Sequence, residues 1–426
     1  MDPQTKTSVD ETGLAFSAAC LGFAKAVKLL AIPMDGSHWL SIHEVVQEIS
    51  LGGHESVMLA PELSMHIREG PFYTLKTFPV TFSKDQFHNK QKNPHLPFEK
   101  ARFLKQFFDM AGAMKVFAAR HFGFCTDLVF NKKLMKSLDQ AHYDAVLTDP
   151  VVPCGSILAQ CLSIPAVYFF QGIPCDFTAE GTQIPRMFTE NTNHMTFLQR
   201  VKNILYTLPQ SVACHLFFSS FARLASELLQ RDMRTVDVLS HGSVWFMRSD
   251  FLLDYPRPIM LNIIFIGGRN CANPKQLPQE FEAYVNASGE HGVVVFSLGS
   301  MVSEIPMTKP MEIAEALGTI HQTVLWWYTG TPPSNLAKNT KLVKWLPQND
   351  LLAHPKTPAF LTHVGCHCVY EGLCNGVPMV LMLFFGDQMD NAKRMESRGA
   401  GVTLNVLEMT SDVLSKALKK VINDKR

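Results

Sequence analysis

The sequence predicts an α/β protein of two doubly wound, Rossmann-like domains facing a shared cleft. Short apolar runs of strand length alternate with amphipathic stretches of helix length, the pattern of parallel βαβ units. The alternation occurs in two series, parted by the proline-bearing stretch Asp254 to Pro258. At 426 residues the chain is long enough to bury two separate cores. The expected divisions are a leader at 1–26, a first domain at 27–254 and a second at 255–426.

In the first series, Val27 to Ile32 reads as the opening strand, Pro33 to Gly36 as a turn, and the amphipathic pattern from Trp39 through Ile49 as a helix. Ser56 to Leu59 is the next strand. Residues 81–140, rich in Lys, Phe and Leu, read as helical with no strong strand. Ala145 to Leu147 is a strand ending at Thr148-Asp149-Pro150, and Ala166 to Phe170 is another. Loop and helix fill 171–240, and Phe246 to Ser249 marks a strand end. The second series starts near Ile263. Its strands are Val293 to Ser297, Thr323 to Trp327, Leu342 to Lys344, Ala359 to Thr362, Val377 to Leu383 and Gly401 to Leu404. Ligands of such folds sit beyond the carboxyl ends of the strands.

Bulk properties narrow the function. A net charge of +1 gives no electrostatic case for nucleic acid. The 30 Phe and 20 Met are core in the main, with a minority suited to a soft, apolar acceptor pocket. The 10 cysteines show no repeated spacing, which argues against a dense disulfide framework. Cys366, Cys368 and Cys374 lie near His363 and His367, but helical residues two apart diverge by about 200°, which works against a shared zinc ion. No window holds the roughly 18 apolar residues of a membrane-spanning helix. Leu14 to Ala24 is apolar and Ala24-Lys25-Ala26 resembles a signal cleavage site, while Asp2, Asp10 and Glu11 spoil the basic opening; a cleaved signal peptide and another kind of leader both fit. One sequon stands at Asn286-Ala-Ser288.

Trp345 to Ala392 carries the chemistry. Trp345 offers a flat face to a uracil, and Gln348 follows it in a Trp-x-Pro-Gln turn. His363-x-Gly365 follows an apolar strand and opens a helix whose N-terminus, with His367 and Cys368 in its first turn, suits a diphosphate. Glu371 can accept hydrogen bonds from ribose hydroxyls. Asp387 and Gln388 can bind sugar hydroxyls. Leu298-Gly299-Ser300 ends another strand, where glycine lets backbone approach phosphate; an ordinary turn is the other reading. Gly36-Ser37-His38 follows the first strand, so His38 stands on the cleft side, where an imidazole can act as a general base. Asp149 ends a later strand of the same sheet and can fix the His38 tautomer. Trp39 reads as packing. Arg248 and Arg257 are anion contacts or surface charges.

These segments, with MDGSHWLS at 34–41, GHESVMLAPE at 53–62, FYTLKTFPV at 72–80, LTDPVVPC at 147–154, HMTFLQRVKN at 194–203, FSLGSMVSEIP at 296–306 and GAGVTLNVLEMTS at 399–411, resemble the animal UDP-glucuronosyltransferases from about Val27 onward. The resemblance implies a GT-B fold with His38 as catalytic base and Asp149 as its support. It implies UDP-glucuronate as donor, no cofactor or metal, and inversion at the anomeric carbon. The acceptor would be a small lipophilic alcohol, phenol or acid, held by segments 81–140 and 171–210. It further implies the lumen of the endoplasmic reticulum, association with related transferases, and helices, a membrane anchor and a basic tail beyond Arg426.

The chain departs from that family at several positions. Cys368 stands where the family has a glycine, and a positive φ there would strain it. Leu383 replaces a proline, and Trp327 and Pro332 replace arginines, the first leaving a buried charge partner unpaired. The alternative is therefore a non-catalytic relative that binds UDP-sugar weakly or pairs with full-length partners.

Overall fold

The computed structural model describes residues 26–82, 103–170, 184–186, 189, 191–271, 274–299, 305–384 and 387–424. The leader and Ser300 lie outside them. The first half runs β1 (Lys28–Ile32), α1 (Ser37–Leu51), β2 (Glu55–Pro61), β3 (Thr74–Phe78), α2 (Phe103–Val129), α3 (Lys132–Asp139), β4 (Ala145–Thr148), α4 (Cys154–Cys161), β5 (Ala166–Phe170), α5 (Phe197–Leu205), α6 (Thr207–Leu229), α7 (Thr235–Leu239), β6 (Gly242–Met247) and β7 (Ile263–Phe265). The second runs α8 (Gln279–Ala287), β8 (Val293–Ser297), α9 (Thr308–Leu317), β9 (Thr323–Trp327), β10 (Thr340–Val343), α10 (Gln348–Leu352), β11 (Ala359–Thr362), α11 (Cys366–Cys374), β12 (Met379–Leu383), α12 (Gln388–Ser397), β13 (Gly401–Asn405) and α13 (Ser411–Asn423).

Two parallel sheets result, ordered β3-β2-β1-β4-β5-β6-β7 and β10-β9-β8-β11-β12-β13. The first winds outward from β1, then returns to lay β4 on its other side; the second does the same with β8 and β11. Each sheet thus has one switch point, where successive crossovers leave on opposite sides and a crevice opens. The strands are apolar because both faces are covered. All five residues of β8 are buried, and Leu30, Val146 and Tyr168 fill the first core. Each fully buried Val, Leu or Phe contributes roughly 1.5–3 kcal/mol.

One reading needs correction, and three features go beyond the sequence reading. β7 pairs with β6, so the strand at Ile263 closes the first sheet instead of opening the second series. The chain crosses between sheets after Phe265, past the Asp254 to Pro258 stretch. β3 pairs with β2 along Thr74 to Phe78, although its alternation of Thr, Lys and Leu is too polar to announce a strand. Among the described residues two cysteine pairs form disulfides, Cys125–Cys154 and Cys271–Cys374, across 29 and 103 residues, too sparse to make the dense framework that the spacing argues against. Partners set by tertiary proximity leave no spacing pattern in the sequence. Finally, Phe197–Leu229 is one helical stretch of 33 residues, long and apolar enough by composition to cross a membrane. Its Arg200, Lys202, Asn203 and His215 interrupt any unbroken apolar run. Phe197, Leu198, Leu205 and Leu216 on it are exposed.

Candidate active site

The two switch points face one cleft of about 880 Å³. His38 follows β1 and Asp149 follows β4, so the pair flanks the first switch point. Gly299 follows β8 and His363 follows β11, flanking the second. All four line the cleft.

His38 sits in the first turn of α1, one step beyond the loop position its sequence suggests. Gly36 caps that helix with φ 83°, a conformation an L side chain resists. Asp35 holds the turn. Its carboxylate accepts from the Gly36 N–H at 2.7 Å, Ser64 Oγ at 2.7 Å, the N–H groups of Met65 at 2.6 Å and His66 at 3.1 Å, and His66 Nδ1 at 2.9 Å. Burial works to raise the Asp35 pKa, but these donors prevail and hold it below its ordinary value. His38 Nδ1 hydrogen-bonds Asp149 Oδ2. Because a carboxylate only accepts, Nδ1 carries the proton and Nε2 keeps a lone pair. Asp149 is 2% exposed, and its Oδ1 accepts the Val151 N–H at 3.0 Å. The His38 ring, 27% exposed, stacks on Phe170 with centroids 6.0 Å apart. Trp39 is buried, edge-on to Tyr73 and His43, as its packing assignment anticipates.

Across the cleft, Trp345 is 64% exposed and meets Trp327 edge-on. Glu371, buried on α11, is held at both oxygens: Gln348 Nε2 donates at 2.5 Å and His367 Nε2 at 3.1 Å. His367 Nδ1 lies 3.3 Å from Ser41 Oγ and 3.4 Å from an Arg248 nitrogen, so this ring joins the two halves. Glu44 of α1 faces the same group; burial first, then Glu371, raise its pKa, against the pull of His367, Arg248 and Arg269. Burial pushes His363 down to about 4, keeping it neutral. A Cβ on Gly299 would stand 2.4 Å from the His363 ring and one on Gly365 2.6 Å from it, so only glycines let these backbones close around the imidazole. Asp387 accepts from Asn391 Nδ2 at 2.7 Å, and Gln388 Oε1 accepts the Phe384 N–H at 2.7 Å; both line the cleft.

The strain that a positive φ would bring at Cys368 does not arise. Cys368 is helical, and the left-handed residue is Val364 at φ 64°. Buried Val364 tolerates it with its N–H on Thr362 Oγ1 and its carbonyl on Asn391 Nδ2. The Cys368 side chain still lines the cleft, 3.4 Å from Gln348 Nε2, and burial raises its thiol to about 12. Trp327 does not simply vacate a charged position: its indole N–H donates to the Lys344 carbonyl at 2.8 Å. Arg248 lines the cleft, whereas Arg257 stands by Asp254 away from it. Sequence reasoning missed Asp35, Glu44 and Arg120, which all line the cleft; the Asp-Gly pair ahead of Ser37 was the available signal for the first. Among the described residues no group of three or more His, Cys, Asp or Glu gathers as a metal site.

A family model described as "UDP-glucoronosyl and UDP-glucosyl transferase" matches residues 27–426. The chain is 57% identical over 422 residues to human UDP-glucuronosyltransferase 1A3, covering 97% of this chain and 79% of that one. It is 58% identical over 413 residues to UDP-glucuronosyltransferase 1A4 of Oryctolagus cuniculus, covering 95% and 78%. Among solved structures, Os79 of O. sativa, in complex with U2F and trichothecene, matches with a TM-score of 0.63 at 16% identity, covering 93% of this chain and 91% of that one. The glycotransferase of kitacinnamycin matches with a TM-score of 0.62 at 16% identity, covering 94% and 92%. These last two likenesses speak to the fold, which is GT-B.

Proposed function

The chain belongs to the UDP-glucuronosyl and UDP-glucosyl transferase family, and we propose that it moves glucuronic acid from UDP-glucuronate to a hydroxyl of a small lipophilic acceptor, with inversion at the anomeric carbon. The observation that carries this reading is the His38–Asp149 pair set across one cleft from the Glu371, Gln348 and His363 cradle. The acceptor oxygen gives its proton to His38 Nε2 and attacks the anomeric carbon as the bond to the UDP oxygen breaks. Asp149 stabilises the imidazolium formed. Trp345 would stack on uracil and Glu371 would take the ribose hydroxyls. The N–H groups opening α11, with neutral His363, would meet the diphosphate, and no cofactor or metal takes part in the scheme. Asp387 and Gln388 would hold the sugar.

A lumenal location is supported by the two disulfides, which persist in oxidising compartments, and by exposed Asn286 in the sequon. One observation favours the second reading, a relative that binds UDP-sugar weakly without turnover: the Cys368 thiol occupies the cradle beside Gln348. Incubation with UDP-glucuronate and a phenol decides between them. Glucuronide formation, lost in His38→Ala with UDP affinity kept, supports the transferase. Absence of product with the intact chain sinks it, and competition by UDP-glucose tests the choice of sugar.

A further inference from the structure

The acceptor side of the cleft holds a second imidazole. Phe117, His121, Phe124, Cys125 and Leu128 form one stripe of α2 along the cleft, at the spacing of a single helix face. His121 is the polar break in that stripe. Its Nδ1 lies 2.9 Å from the Phe117 carbonyl one turn back. A carbonyl only accepts, so Nδ1 carries the hydrogen and Nε2 a lone pair. The ring is flanked by Phe117, with centroids 4.0 Å apart, and by Phe124 at 6.0 Å. Burial pushes its pKa down to about 4, and it lies close enough to His38 and Asp149 for both to act on its charge.

Nε2 decides what this ring does. A histidine serving only the core would have this nitrogen bonded or sealed off. Here the Phe117 contact is the ring's one hydrogen bond among the described residues, which leaves Nε2 without a protein donor among them. The ring itself lines the cleft. Arg120 lines the same chamber. A lone pair disfavours an anion and, on an apolar wall, suits a neutral O–H donor.

The geometry points to His121 as a specificity-determining residue that accepts a hydrogen bond from a second hydroxyl of the acceptor, selecting lipophilic diols and diphenols over monohydric phenols. This rests on the transferase reading, and it assigns His121 no part in proton transfer.

The test is a binding titration of the UDP-saturated chain with a 4-alkyl phenol and with the catechol and resorcinol of the same skeleton. At least one diphenol should bind about tenfold more tightly than the phenol, the worth of one buried hydrogen bond. His121→Phe should bring that ratio to within about twofold of unity while phenol and UDP affinities stay within about threefold. His121→Gln, which keeps an acceptor oxygen, should retain part of the preference. A preference that survives in the Phe variant, or a wild-type ratio near unity for both diphenols, overturns the assignment. The wild-type ratio decides alone if the Phe variant loses UDP binding. Glucuronide formation from the phenol in parallel judges the transferase reading separately.

Discussion

Asp149→Asn changes one atom and inverts the chemistry of the base. Asp149 Oδ1 accepts the Val151 N–H at 3.0 Å, and only an oxygen can do so. The asparagine must therefore keep its carbonyl on Val151 and turn its amide nitrogen toward His38 Nδ1. A donor now faces Nδ1, which must surrender its hydrogen. The hydrogen moves to Nε2, and the atom aimed at the acceptor can no longer take a proton. A base locked in the wrong tautomer costs about 10³- to 10⁴-fold in kcat, or about 4–5.5 kcal/mol in the barrier. Both side-chain contacts survive as neutral hydrogen bonds, so the fold should lose only about 1–2 kcal/mol. The assay is single-turnover glucuronide formation at saturating donor, with UDP affinity from calorimetry as the control. UDP binding should be unchanged, since Asp149 belongs to the opposite half of the cleft. A variant within about tenfold of the wild-type rate would refute the tautomer argument.

Three further outcomes are expected. Cys368→Gly should tighten UDP by roughly tenfold, measured by calorimetry, at a cost of about 1–2 kcal/mol in helix stability. Gly299→Ala places a methyl 2.4 Å from the His363 ring at φ 74°, so urea unfolding should show a loss of about 1–3 kcal/mol together with weaker UDP binding. His363 and His121 are each held near pKa 4, below the 6.5 of an exposed imidazole. Between pH 6.5 and 4 the unfolded chain binds the proton that the folded chain refuses, so stability falls as pH falls through that window, by up to roughly 1.4 kcal/mol per unit for each ring. Urea midpoints at pH 7 and pH 5 should show this, with a shallower slope in His121→Phe.

The sheets were legible because parallel strands covered on both faces are nearly pure apolar runs, as in β8, β11 and β12. β7 was assigned to the wrong sheet because three residues beside a proline-rich stretch carry no sign of their neighbour. The contact of His38 with Asp149 was legible for a topological reason: each follows a strand, and strand ends at a switch point converge. The residues proposed to hold the donor lie in one segment, so the sequence already groups them. His121, Glu44 and Arg120 were not legible. Each sits within a helical pattern, and only the packing of α1 and α2 against the cleft separates them from surface charge. The thiol at 368 was visible as a departure, but its backbone was not; the strained residue proved to be Val364, the unspecified middle position of the His-x-Gly turn.

Asp35 ties two fates together. The carboxylate that seats the His38 turn also grips Ser64, Met65 and His66, and Leu63, Ser64, Met65 and Ile67 form part of the wall against which an acceptor would rest. Remodelling that wall to admit a new molecule would tug on the base through a shared anchor, trading selectivity against speed. Among the described residues no hydrogen bond joins the α2 face to His38, so substitutions there, Cys125 of the disulfide apart, should reshape the chamber without pulling on that turn. A designer, or natural drift, altering selectivity should find α2 permissive and the 63–67 loop costly.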